Sequence, residues 1–211
     1  MPAPGESSAG KLLANANVQR VPSEKLELFQ QRGFLPTDLC HRLIALIDVE
    51  RRPSTLADDN GDALFRTSET CDLAQEHPQI AELEKRFLAL SGIDPSYGEP
   101  VQGQRYAVGQ EFKPHCDYFT PGGQDWEKYT AVSGQRTWTF MIYLNEPEAG
   151  GATRFKCIDK TIKPETGKLI CWNNRRADGS VNPNTLHHGM KVRRGTKYVI
   201  TKWYREKVWG W

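Results

Sequence analysis

The chain predicts an α+β protein, with helices first and then an antiparallel β-sandwich or barrel. Two observations carry this. Apolar residues recur at helical spacing twice before residue 92. From Pro100 onward the texture changes to short β-branched and aromatic runs broken by Gly, Pro and Asn. No internal repeat and no linker interrupts the chain, so residues 18–211 are expected to form a single domain.

Met1 to Asn17 is rich in Pro, Ala, Gly and Ser and has no long apolar stretch, so residues 1–17 are expected to be a disordered leader. Lys25 to Phe29 alternates like a strand. Thr37 is a candidate N-cap for a helix whose stripe is Leu39, Leu43, Ile44 and Ile47. Pro53 to Asp62 is polar and reads as an exposed loop. A second helix starts near Pro78, carries Ile80, Leu83, Phe87 and Leu88 as its buried stripe, and ends at Gly92. Strands are expected over Gln102 to Phe112, Thr137 to Leu144, Thr153 to Ile158, Lys168 to Trp172 and Thr196 to Tyr204, the second of them central.

The net charge of +2 is too small to argue for nucleic acid or an anionic membrane as the main partner. No apolar run reaches the roughly 20 residues that span a bilayer. The five cysteines (Cys40, Cys71, Cys116, Cys157 and Cys171) are odd in number, scattered and without a CxxC pair. They predict free thiols in a cytoplasmic protein and no structural zinc site.

His115-Cys116-Asp117 is the first segment that can carry chemistry. In an extended chain residues two apart face one side, which gives one imidazole and one carboxylate converging on a point. A second histidine from a distant strand would complete the two-His, one-carboxylate face of a non-haem Fe(II) site. Taken alone, an HxD is common. His187 and His188 are the candidates for the third ligand, because His41 and His77 lie in the helical region. Ten residues beyond His187, Lys197 shares a strand face with Val199, Thr201 and Trp203. If that face is interior, the ammonium needs an anion, for which a bound carboxylate is an attractive partner. The alternative is that Lys197 begins the strand and reaches back to water.

These residues resemble the prolyl 4-hydroxylase branch of the 2-oxoglutarate/Fe(II) dioxygenases, from about Gly33 to Lys207. The resemblance is carried by Arg66-Thr67-Ser68, Glu99-Pro100-Val101-Gln102, Arg105-Tyr106, Gly109-Gln110 and His115-Cys116-Asp117-Tyr118-Phe119. It continues through Arg136, Tyr143-Leu144-Asn145, Gly150-Gly151-Ala152-Thr153-Arg154-Phe155, Leu186-His187, Gly195-Thr196-Lys197 and Lys202-Trp203. It implies a double-stranded β-helix (jelly-roll) core with supporting N-terminal helices. It also implies Fe(II), 2-oxoglutarate as co-substrate, O2 and ascorbate.

The family pattern places the distal ligand after a leucine and ten residues before the lysine, which selects His187 over His188. The metal and catalytic set is then His115, Asp117 and His187. Lys197 matches the residue that pairs with the distal carboxylate of 2-oxoglutarate. Tyr106, Thr153 and Trp203 match further co-substrate contacts. Glu99 and Arg136 match positions that contact peptide substrate in relatives, against the plainer reading of a surface ion pair.

The sequence departs from the pattern at Phe112, where many relatives have Tyr, at Met190-Lys191-Val192, and in a slightly long Pro121 to Gly134 segment. These leave the iron chemistry intact and bear on the substrate. A peptide or protein is the expected substrate, with 4-hydroxylation of prolyl residues and release of succinate and CO2. The competing readings are a hydroxylase of another residue or a free small molecule, and a non-catalytic jelly-roll metal- or ligand-binding module. Gly150-Gly151 reads as a tight turn rather than a phosphate loop, since no Gly-Lys-Ser/Thr follows. The basic stretch Lys191 to Lys207 reads as the solvated face of a strand pair.

Overall fold

The computed structural model of the chain describes residues 7–54, 65–123 and 126–210. Four helices are present among them: α1 (Ser8–Ala14), α2 (Thr37–Glu50), α3 (Pro78–Ser91) and α4 (Trp126–Thr130). In α2 the buried residues Leu39, Cys40, Leu43 and Ile47 fall on one stripe, as the spacing predicts. Thr37 is not the N-cap. The helix begins at Thr37 after an extended Pro36, and no side chain caps it. In α3 Pro78 takes the first turn, where its missing N–H costs nothing, and Gly92 closes the helix in the left-handed region at φ 71°. Ile80, Leu83 and Phe87 are buried, but Leu88 is exposed and Leu90 takes its place in the core.

One expectation fails because a short segment forms a helix against the core. Residues 8–14 of the expected leader are α1, with Leu12 fully buried in the main core cluster. One anchored leucine gives about 1.5–3 kcal/mol of burial, enough to order a short helix on a preformed surface. Residues 1–6 of that leader lie outside the described residues. The Pro121 to Gly134 segment contains α4, none of whose residues is buried. The Pro53 to Asp62 loop is mostly outside the described residues, and Pro53 itself pairs in a strand.

The strands, in chain order, are β1 (Gln19–Arg20), β2 (Leu28–Gln31), β3 (Arg52–Pro53), β4 (Glu69–Leu73), β5 (Val101–Tyr106), β6 (Phe112–His115) and β7 (Arg136–Tyr143). They continue with β8 (Ala149–Gly150), β9 (Thr153–Phe155), β10 (Lys160–Ile162), β11 (Leu169–Asn173), β12 (His187–Gly189), β13 (Val192–Arg194) and β14 (Lys197–Arg205). The expected Gln102 to Phe112 strand is two strands, β5 and β6, broken by a turn at 107–111. The Thr153 to Ile158 strand stops at Phe155 and gives way to a 3-10 turn, Lys156–Ile158.

One sheet has eight strands in the order β1-β2-β11-β7-β14-β5-β4-β3; a second has four in the order β10-β9-β12-β6; β13 and β8 pair separately. Every pairing is antiparallel. The two larger sheets make a double-stranded β-helix, and α2 and α3 cover the outer face of the eight-stranded sheet.

Period-two alternation sorts each central strand between these layers. From β7, Trp138, Phe140 and Ile142 join the cluster that also holds Leu39, Leu43, Leu83 and Phe87 of the helices. Met141 and Tyr143 face inward with Phe155, Ile170, Trp172 and Val199. In β14, Val199, Thr201 and Trp203 pair with Tyr143, Met141 and Thr139 of β7, so the Lys197 face is the barrel interior.

The basic stretch Lys191 to Lys207 is a solvated face only in part: Lys191, Arg193, Arg194 and Lys207 are exposed. Lys197, Lys202 and Arg205 are all buried, the latter two against carboxylates of distant segments. Sequence periodicity could not anticipate those partners, Glu84 and Glu99.

Candidate active site

His115 ends β6 and His187 begins β12, and the two are direct partners across that antiparallel pair. Both rings therefore point to one side, with centroids 4.2 Å apart. Asp117 follows two residues after His115 and is buried beside them. His115 Nε2 lies 3.5 Å and His187 Nε2 3.9 Å from Asp117 Oδ1. These spacings exceed ordinary hydrogen bonds and suit three donors around one ion. One ligand atom from each residue falls within 4.8 Å of the others.

Each imidazole is oriented by its own strand. His115 Nδ1 bonds the carbonyl of Lys113 at 2.8 Å, and His187 Nδ1 bonds that of Thr185 at 2.9 Å. A carbonyl only accepts, so each Nδ1 carries the proton and each Nε2 turns a lone pair inward. Burial, together with the neighbouring His115 ring, pushes His187 down to about 4, which keeps its ring neutral. Burial alone would raise Asp117. The neighbouring His187 and His115 rings and the Arg136 guanidinium overcome it and hold the carboxyl well below the usual carboxylate range.

Two neutral imidazoles and one carboxylate, with their remaining polar atoms occupied by the protein, fit a ferrous ion. Around them Phe112 stacks on His115 at 3.5 Å between centroids, and Trp172 meets His187 edge-on at 4.8 Å. His188 turns the other way, to Glu111 Oε2 at 2.9 Å, so its ring belongs to a partly exposed hydrogen-bonded pair.

Deeper in the barrel lies Lys197. Its ammonium is 3 % exposed and faces the rings of Tyr106 and Tyr143 at 5.0 and 5.4 Å. Among the described residues no carboxylate pairs with it. Burial brings it down to about 7. Gly151 packs on its stem: a Cβ there would sit 3.2 Å from Lys197 Cδ, and its φ of 71° suits glycine. The Tyr143 hydroxyl pairs with Thr153 Oγ1 at 2.7 Å and reaches the Ile162 carbonyl at 3.3 Å. Tyr106 donates to Gln104 at 2.8 Å. The Trp203 indole N–H is buried with no partner. The buried Lys197 ammonium beside the Tyr106 and Tyr143 rings, with the Tyr143 and Thr153 hydroxyls close by, fits a carboxylate.

A family described as the 2OG-Fe(II) oxygenase superfamily matches residues 101–205. Probable prolyl 4-hydroxylase 3 of Arabidopsis thaliana is 31% identical over 199 residues, covering 83% of this chain and 68% of that protein. The chain belongs to the prolyl 4-hydroxylase family of 2-oxoglutarate/Fe(II)-dependent dioxygenases. Prolyl 4-hydroxylase 5 of the same plant is 31% identical over 196 residues, 82% of this chain and 66% of its own length. The chain thus spans about two thirds of these relatives. A viral collagen prolyl hydroxylase from Paramecium Bursaria Chlorella virus-1, solved with 2-oxoglutarate, superposes with a TM-score of 0.65 at 28% identity. That match covers 84% of this chain and 95% of the viral one.

Glu99 and Arg136, the remaining residues singled out in the sequence, are not a surface ion pair. They form a buried bidentate bridge at 2.6 and 2.7 Å, joined by Arg205 at 2.9 Å from Glu99. Arg136 also lies over the Trp203 ring at 4.1 Å. Four site residues are not apparent from the sequence reading: Tyr143, Trp172, Thr139 and Asn174. Tyr143 and Thr139 share the inward face of β7 with Met141, so alternation along that strand carried a signal. Nothing in the sequence marks Asn174.

Proposed function

We propose that this protein hydroxylates prolyl residues of a peptide or protein at C4, consuming 2-oxoglutarate and O2 and releasing succinate and CO2. The observation that carries this is the buried, carboxylate-free Lys197 ammonium set in the same barrel as the His115, Asp117 and His187 donors. The names of the relatives support the prolyl and peptidyl part. A ferrous ion on the three donors supplies the oxidative chemistry. The protein supplies position. His115 and His187 offer fixed Nε2 lone pairs, Asp117 offers negative charge, and Lys197 binds the far carboxylate of the co-substrate. The Phe112, Phe155, Trp172 and Trp203 rings keep water from the reacting space. Arg136 lies over the Trp203 ring with Glu99 buried behind it, and we assign the pair a role in seating the peptide.

Ascorbate as accessory reductant belongs to the same proposal, as does a cytoplasmic setting, which the five free thiols support. The test is anaerobic titration of Fe(II)-loaded protein with 2-oxoglutarate, followed by aerobic turnover on proline-rich peptides with and without ascorbate. A saturable visible charge-transfer band, lost in His187→Ala and kept in His188→Ala, supports the site. Hydroxyproline formed in step with succinate supports the substrate. Succinate release that no prolyl peptide accelerates overturns the prolyl assignment, and a missing band overturns the co-substrate assignment.

A further inference from the structure

Behind Asp117 lie two fully buried polar residues, Thr139 and Asn174, that belong to neither the donor set nor the co-substrate space. The Thr139 hydroxyl donates to Asp117 Oδ2 at 2.7 Å, and Asn174 Nδ2 donates to Thr139 Oγ1 at 2.9 Å. The direction of both bonds follows from chemistry. An ionised carboxylate can only accept, so Thr139 spends its one proton on Asp117. Its oxygen then has lone pairs alone to offer, and Asn174 must meet it with the amide NH2.

Asn174 is in turn tied to the other ligand. Its backbone carbonyl accepts from Asn182 N at 2.8 Å, and the Asn182 backbone carbonyl accepts from Thr185 Oγ1 at 2.7 Å, while Asn174 Oδ1 is buried with no partner. The Thr185 carbonyl is the acceptor of His187 Nδ1. Hydrogen bonds joined through the main chain of Asn174, Asn182 and Thr185 therefore connect Asp117 and Thr139 to His187.

We infer that Thr139 and Asn174 are positioning residues that occupy Asp117 Oδ2, leave Oδ1 as the oxygen offered to the metal, and lock that choice to the His187 segment. Occupying Oδ2 keeps Asp117 from spreading both oxygens over the metal position, so coordination places stay open for the co-substrates. Hydrogen bonds of this kind behind a ligand are worth about 10–100-fold in metal affinity. The inference rests on the metal site proposed above and is independent of which substrate is hydroxylated.

The experiment uses Mn(II), a redox-inert stand-in, titrated into the full chain by EPR, with thermal melts to confirm folding. The proteins compared are wild type, Asp117→Ala, Thr139→Val, Thr139→Ser, Asn174→Leu and the Thr139→Val/Asn174→Leu double variant. Thr139→Val, which keeps shape and loses the hydroxyl, is expected to weaken Mn(II) binding about tenfold or more. Thr139→Ser should stay close to wild type. Asn174→Leu should weaken binding, and the double variant should be no weaker than Thr139→Val alone, because the two act through one bond.

Wild-type affinity in Thr139→Val, a Thr139→Ser as weak as Thr139→Val, or losses that multiply in the double variant would overturn the relay. Equal Mn(II) binding by wild type and Asp117→Ala would instead overturn the metal site itself, and the relay with it.

Discussion

Arg136 donates from Nη1 to the backbone carbonyl of Asp117 at 3.2 Å. The same guanidinium holds Glu99 in a bidentate bridge and stacks against Trp203 and Phe119 at 4.1 and 4.9 Å. Arg136 therefore fixes the main chain of a metal ligand while its face lines the space beside Trp203. Lysine cannot reproduce the planar fork. Arg136→Lys is expected to lower stability by about 3 kcal/mol, the low end for disrupting a buried ion pair, because Arg205 still meets Glu99. Mn(II) affinity should fall with it. Denaturant melts and metal titration check both, and an Arg136→Lys protein matching wild type in the two would refute this dual role.

Lys197 is predicted to stabilise the complex and not the free protein. Its ammonium is buried with no carboxylate partner among the described residues, which costs folding energy that bound 2-oxoglutarate recovers. Lys197→Met fills the same volume without charge. Its melting temperature without co-substrate should equal or exceed that of wild type. Its affinity for 2-oxoglutarate should drop about 10–100-fold, the worth of a hydrogen-bonded charge at about 1.5–3 kcal/mol. A variant that melts lower yet binds 2-oxoglutarate normally would contradict the assignment.

The same group sets a pH dependence. With Lys197 at about 7 in the free protein, half of the molecules have a neutral amine near neutrality. The dianion prefers the ammonium, so above pH 7 each binding event must first take up a proton. Apparent affinity for 2-oxoglutarate should fall by up to about tenfold per pH unit between 7 and 9. The unfolded chain keeps this lysine protonated up to its ordinary range, so between pH 7 and about 10 the unfolded state binds more protons. This group's contribution to the stability of the free protein therefore rises with pH across that window. Calorimetric titrations at several pH values, with Lys197→Met as the flat control, read the effect. A pH-independent affinity would place Lys197 elsewhere.

What the sequence made legible follows the range of the forces involved. Helical spacing in α2 and α3, and alternation in β7 and β14, are local patterns, and they located the layers and the inward face of Lys197. HxD and the later histidine were legible because ligand chemistry restricts residue type. Leu12 was not legible, since α1 is ordered by a surface built from residues far along the chain. Neither was Asn174, whose role exists through a bond to Thr139 that folding alone creates. The charges of Lys202 and Arg205 were misread for the same reason: a basic run looks solvated until its carboxylates arrive from 118 and 106 residues away.

Lys202 gives the sharpest stability prediction. Its side chain is fully buried on the outer face of β14, and Nζ meets Glu84 Oε1 of α3 at 2.5 Å. Burial lowers the lysine from its ordinary value, and the Glu84 charge only partly opposes that. This pair joins the helix layer to the large sheet, and the other Glu84 oxygen, Oε2, is buried with no partner. Removing one partner strands the other as a buried charge, at a cost of about 3–5 kcal/mol. Glu84→Leu alone and Lys202→Met alone should each lose about that much in urea melts. The double variant replaces the pair by apolar groups of similar volume and should recover most of the loss. Additive losses would mean that Glu84 and Lys202 contribute separately, through packing, and that the ion pair does not couple α3 to the sheet.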